Sequence, residues 1–146
     1  MNTIAPLPDP VTVAAVHQLY GAQSQCIDNG HAVEWAATFT VDGEFHSPSY
    51  PDPVAGRAAL IDFARGFYTA ARAANEVHRH VVTNIAVRQS DSTSLEVSAY
   101  LQILATPLGG PSRLVRMTTL DDQLAHIDGA WLIARRRVAR DDAPQP

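Results

Sequence analysis

NEVHRHVVTNIAV, residues 75–87, is where the periodicity of the chain changes, and its reading decides the fold. Upstream, apolar residues recur at helical spacing. From here on, Val, Ile, Leu and Thr dominate long segments at strand spacing. Side chains of a strand alternate between faces, so His78 and His80 are expected on one face together with Val82 and Asn84. The pair raises three readings: metal ligands, catalytic bases, or ordinary strand residues.

Downstream of this stretch, residues 77–88, 94–106, 112–127 and 131–139 read as four strands separated by QSDST, PLGGP and IDGA. Asp128-Gly129 is a strong hairpin signal. Upstream, Val13, Val16, Leu19 or Tyr20, and Cys26 or Ile27 mark a helix over 11–29, with Gln23 as a polar break and Gly30 as the stop. HAVEWAATF is expected to form a second short helix with Trp35 and Phe39 on one face, and TVDGEFHS a turn and short strand. SPSYPDPVAG, 47–56, is an irregular loop. A third helix carries Leu60, Phe63 or Ala64, Phe67, and Ala70 or Ala71. Helices first and an antiparallel meander afterwards predict an α+β fold, with helices covering one face of a curved sheet.

The chain has 146 residues, enough for one domain with a sizeable core. Extended tails are expected over 1–10 and 141–146, with a single domain over 11–140. At 46% hydrophobic and 18% charged residues, the composition is that of a soluble globular protein. No apolar run approaches membrane-spanning length, and MNTIAPLPDP lacks the basic start and apolar core of a signal peptide. Cys26 stands alone, which excludes an internal disulfide and fits a cytoplasmic location. It lies in an apolar helical pattern, as a small buried residue does. A net charge of −4 argues against nucleic acid as a partner. ARRRVAR, 134–140, does not change this, because Arg136 faces opposite to Arg135 and Arg137 on a strand. All basic residues are Arg, so Schiff-base chemistry on lysine is excluded.

Two histidines at a strand spacing of two can ligate a metal in cis, but a third histidine and an acid are needed nearby. No Asp or Glu follows HRHVVTN until Asp91, so no metal is expected. Nor is there a GxSxG, Walker or dinucleotide glycine pattern, and no cofactor is expected.

Four phrases in order, LYGAQSQCIDNGHAVEWAATFTVDGEFHSP, AGRAALIDFARGF, HRHVVTNIAV and DDQLAHIDGAWLIARRRV, give the chain a family resemblance. It resembles the superfamily that includes nuclear transport factor 2, scytalone dehydratase, ketosteroid isomerase and SnoaL-like polyketide cyclases, over roughly residues 13–140. The resemblance implies a cone-shaped α+β barrel in which three helices and a strongly curved antiparallel sheet enclose one apolar pocket. It also implies a homodimer. Members use that pocket in different ways, so the fold does not settle the function.

The resemblance to scytalone dehydratase implies that His80 and Asp28 act together, the histidine on a water and the aspartate, at the end of the first helix, as its partner. An imidazole titrates near ~6.5, so it can take and return a proton at neutral pH. An adjacent carboxylate fixes its tautomer. The alternative is that Asp28 only ends a helix and His80 is a half-buried strand residue. His78 is a candidate rim or binding residue.

The strand SRLVRMTTLDDQLAHI places Leu114, Arg116, Thr118, Leu120, Asp122, Leu124 and His126 on one face. An unpaired carboxylate among leucines is costly, and burial raises such a group toward the range of a useful base. The resemblance to SnoaL-like cyclases implies a catalytic aspartate at Asp122. Alternatively, this face is the outer one and Asp122 pairs with Arg116 across solvent; Arg116 is otherwise a candidate for binding. Tyr20, Trp35, Tyr50, Phe67 and Tyr100 are candidate pocket aromatics or plain core. His46 and Tyr50 are candidates for the pocket mouth or for open surface.

These residues suit a cofactor-independent cyclase, dehydratase or isomerase acting on an aromatic, polyketide-like carbonyl compound. The phrases also resemble the structural small subunit of ring-hydroxylating dioxygenases, and a ligand-binding module is a third reading.

Overall fold

The structure, a computed structural model, describes residues 7–144. Most of the tail expected over 1–10, and residues 145 and 146 of the other tail, lie outside the described residues.

Helix α1 spans Pro10–Asp28. Asp9 caps its start by accepting the Val11 N–H at 2.7 Å, and proline occupies the first turn, where its missing N–H costs nothing. The helix ends in a Schellman arrangement: the His31 N–H reaches back to the Cys26 carbonyl at 2.8 Å, with Gly30 left-handed at φ 82°. Its buried face is Val16, Tyr20, Gln23 and Ile27. Gln23, the polar break in the pattern, is buried because its amide bonds the Thr38 hydroxyl at 2.6 Å.

Helix α2 is shorter than expected, Ala32–Ala36. Phe39 opens strand β1 (Phe39–His46) instead, though its ring still meets that of Trp35 at 5.0 Å. Asp42-Gly43 is therefore no turn. It is an irregularity inside β1, where a Cβ on Gly43 would fall 2.8 Å from that of Phe39. Strand β2 (Val54–Ala55) follows the proline loop and pairs with β1, and helix α3 spans Arg57–Ala73 with Leu60, Ala64 and Ala71 buried. Strands β3 (Glu76–Asp91), β4 (Ser94–Pro107), β5 (Arg113–Ile127) and β6 (Ala130–Arg140) form the expected meander.

The sheet has six strands in the order β2-β1-β6-β5-β4-β3. It is mixed rather than wholly antiparallel, because β1 runs parallel to β6. Its ends do not meet, so the α+β cone is not closed. Irregularities between Thr83 and Ala86, Ile103 and Leu104, and Gln123 and Leu124 bend the long strands. One of them corrects the face expected for Asn84: that residue takes φ 54° and is exposed, and Ile85 and Val87 pack inward in its place.

Helix α1 lies along β3, and α3 lies against α2 and β3. The core between helices and sheet takes Leu95, Val97, Ala99, Leu101 and Ile103 from β4 and Leu120 and Leu124 from β5. Each fully buried aliphatic side chain of this kind contributes about 1.5–3 kcal/mol. The polar exceptions on the inner face of β5 and β6 are Thr118, Asp122 and Arg136, 1%, 2% and 5% exposed.

Candidate active site

The last residue of α1 meets the middle of β3. Asp28 Oδ1 lies 2.6 Å from His80 Nδ1, and both Asp28 oxygens accept the His80 backbone N–H, at 3.2 and 3.0 Å. The side chains are 5% and 10% exposed. A carboxylate only accepts, so Nδ1 carries a proton, and in the neutral tautomer this selects, Nε2 is the nitrogen with the lone pair. Among the described residues Nε2 has no hydrogen-bond partner. The ring stands against Phe67, centroids 5.0 Å apart.

His80 lines a mostly apolar cavity of about 60 Å³ between helices and sheet. Trp35, Phe45, Phe63, Phe67, Leu101 and Leu120 form its greasy walls. Ser47 and Tyr50 of the proline loop close one side, and His80, Arg116, Thr118 and Arg136 supply the polar atoms. His80, Ile103 and Arg116 occupy one row across three strands, which carries the imidazole and the Arg116 side chain onto the same concave surface. Arg116 Nη1 donates to Ser49 Oγ at 3.1 Å, and Arg140 Nη1 approaches the same hydroxyl at 3.4 Å. The proline loop is thus tied to the sheet through one serine.

Asp122 does face inward, between Leu120 and Leu124, but it is not an unpaired carboxylate, and its partner is not Arg116. Arg136 Nε and Nη2 donate to its two oxygens at 3.0 and 2.8 Å. The Tyr20 hydroxyl donates to Oδ2 at 2.5 Å. Burial, reinforced by the Asp122 charge, pushes the Tyr20 phenol far above its ordinary range. Burial alone would lower Arg136; the neighbouring carboxylate more than offsets this and keeps the guanidinium charged. Asp122 sits behind Arg136 with no exposed side-chain surface, and it is Arg136 that lines the cavity.

The other nominated residues scatter. His78 also packs against Phe67, but it lines a separate cleft with Asp28, Arg72 and Arg79. Its Nε2 is 3.1 Å from Glu76, which also takes Arg113 at 3.0 Å. Those hydrogen bonds, Arg113 first and His78 second, hold the Glu76 carboxyl below its usual range. The two histidines of HRH therefore engage different carboxylates and do not converge. His46 lies in a groove between the proline loop and β6, its Nε2 3.4 Å from Glu44. Trp35, Tyr50 and Phe67 do line the cavity, whereas Tyr20 touches it only through Arg136. Tyr100 is 46% exposed on the outer face, because the odd-numbered neighbours Leu101 and Ile103 take the inner one.

The sequence reading passed over Arg136, Ser49, Phe45 and Phe63. The rings of Phe45 and Phe63 lie 4.8 Å apart, tilted by 39°, and complete an aromatic cluster with Trp35 and Tyr50. Their spacing from Trp35 in sequence gave no sign of it.

The SnoaL-like domain family matches residues 12–137. The chain belongs to that family. Among solved structures, Aln2 from a Streptomyces species is similar at 26% identity and TM-score 0.84, over 94% of this chain and 96% of that one. ActVI-ORFA from Streptomyces coelicolor is 28% identical with TM-score 0.81, over 90% and 99%. A Catenulispora acidiphila protein solved in complex with S-DNPA is 29% identical with TM-score 0.79, over 92% and 96%. Among curated protein sequences nothing matches the chain. No helix among the described residues is long and apolar enough to cross a membrane.

Proposed function

We propose that this SnoaL-like chain is a cofactor-independent enzyme that removes and returns a proton beside a carbonyl of an aromatic, polyketide-like compound. The observation that carries the reading is the 2.6 Å contact between Asp28 and His80 at the wall of an apolar cavity. Asp28 orients the imidazole so that Nε2 of its neutral form can accept a proton. The enolate left behind closes a ring, expels water after His80 returns the proton to a leaving hydroxyl, or is reprotonated elsewhere. One cavity serves all three outcomes. Tyr50 and Arg116 are the donors at its mouth.

The Catenulispora relative bound to S-DNPA supports a small-molecule ligand here. A cavity of about 60 Å³ is below the ~300–1,000 Å³ of sites that enclose drug-sized ligands. A ring system therefore enters when the Ser49-tied loop gives way. Asp122 is assigned to holding Arg136 rather than to proton abstraction. The protein acts as a homodimer in this reading.

The test is turnover by His80→Ala and Asp28→Asn on candidate β-hydroxy or enolisable aryl ketones. General acid–base groups contribute about 10²–10⁴-fold. Losses of that size in both variants, with folding retained, are expected; wild-type rates in both would remove the pair from the mechanism.

A further inference from the structure

The Asp122–Arg136 pair is more than a buried fixture. Two of the three nitrogens of the guanidinium are spent on Asp122, and the side chain forms part of the cavity wall. Nη1 is not among the nitrogens that reach Asp122, and the Tyr20 hydroxyl is a further hydrogen-bond neighbour of the guanidinium. Its Cζ lies over two aromatic rings, 5.6 Å from the Tyr20 centroid and 5.8 Å from that of Phe39. Asp122 is in turn fixed by the Tyr20 hydroxyl. A buried ion pair adds little to stability compared with an apolar filling. A rigid donor on the wall of a mostly apolar cavity does have a chemical use, because it need not reorganise when charge develops on a bound oxygen.

Its position matters as much as its chemistry. Tyr20, which holds the Arg136 end, and Asp28, which holds the His80 end, are eight residues apart on the same helix α1. At 1.5 Å per residue the two anchoring residues lie about 12 Å apart along the helix axis. Between Arg136 and His80 the walls are apolar, with Phe45, Phe63, Leu101, Leu120 and Val138. Because Asp122 already neutralises the guanidinium, the Arg136 post suits a neutral carbonyl or hydroxyl oxygen better than a carboxylate.

We infer that Arg136 is a second, substrate-holding post in the cavity that His80 lines, and that the cavity favours a ligand carrying two oxygens, one for each post. This rests on the reading of His80 as the acid–base group and adds the ligand's second polar contact. The remote oxygen is held by Arg136 Nη1 while the reacting carbon is presented to His80 Nε2.

The test uses fluorescence titration of the full chain with two probes. One is the naphthalenediol whose hydroxyls lie at opposite ends of the long axis; the other is the naphthol with a single hydroxyl. The wild type should bind the diol about tenfold more tightly, the value of one good hydrogen bond. The paired variant Arg136→Gln with Asp122→Asn removes the cation without stranding a buried charge, and should bring the diol down to the affinity of the naphthol. Arg136→Lys, which keeps a cation for Asp122 but loses the fork, should do the same and serves if the paired variant does not fold. Equal affinities in the wild type, failure of either probe to bind, or a diol preference that persists in these variants would overturn the proposal. His80→Ala separates the two ends: if it keeps the diol preference that the Arg136 variants lose, the His80 reading fails and the Arg136 post stands.

Discussion

Asp122 and Arg136 face each other across β5 and β6 and are joined by parallel hydrogen bonds of 3.0 and 2.8 Å, with the Tyr20 hydroxyl closing the carboxylate from a third side. This arrangement assigns one of the two acidic candidates a supporting part and leaves the other, Asp28, beside the imidazole that reaches the cavity.

Asp122→Asn should therefore destabilise the fold by about 3–5 kcal/mol, since it leaves the Arg136 guanidinium buried without its counter-charge. Denaturant unfolding measures the loss. A variant of unchanged stability that has lost its activity would make Asp122 the base instead.

Tyr20 carries a prediction at alkaline pH. Its folded phenol is raised, so the stability it contributes is present below ~10 and is lost as the pH rises past the range where unfolded phenols ionise. Absorbance titrations of the wild type and Tyr20→Phe should show the same number of ionising phenols until the protein unfolds. Tyr20→Phe itself should cost about 1.5–3 kcal/mol, the range for a hydrogen bond to a charged group. An additional phenol titrating in the folded wild type would contradict the buried contact.

At the acid end the reporter is Glu76, held low by Arg113 and His78. A depressed carboxylate contributes stability above its unfolded value of ~4.3, and that contribution disappears as the pH falls through the lower folded value. The wild type should be more stable than Glu76→Gln at neutral pH, and the difference should shrink steadily on acidification. Chemical denaturation at a series of pH values checks this; a gap that widens toward acid would reverse the assignment.

Ser49→Ala removes the hydroxyl that Arg116 and Arg140 share. The expected stability loss is only about 0.5–1.5 kcal/mol, because the contact is partly open to water. Naphthol association, followed by stopped-flow fluorescence, should become faster as the loop is released. An unchanged rate would mean that the loop does not limit access.

The helices and the meander were legible in the sequence because each rests on local periodicity and turn chemistry. Asp128-Gly129 makes a tight turn with both residues at positive φ, 51° and 82°, and fixes the β5–β6 register near it. Arg136 was not legible for a related reason. Regular counting back from that turn places Arg135 opposite Asp122, and a one-residue irregularity around Ala134 advances the partner to Arg136. The same kind of irregularity at Asn84 broke the expected face of β3. Tyr100 could have been placed outside, since Leu95, Val97, Leu101 and Ile103 alternate against it. The β1–β6 parallel pairing joins residues nearly a hundred positions apart, and no local signal encodes it. Asp28 and His80 are 52 residues apart, and the resemblance, rather than any spacing, brought them together.

The arrangement of His80 itself is the most direct thing to measure. Nitrogen NMR of the imidazole, with the neutral form populated, reports which ring nitrogen holds the proton. The account predicts a protonated Nδ1 bound to Asp28 and a bare Nε2 whose signal moves when naphthol is added, both lost in Asp28→Asn. A proton on Nε2 in the wild type, or an Nε2 signal indifferent to naphthol, would contradict it.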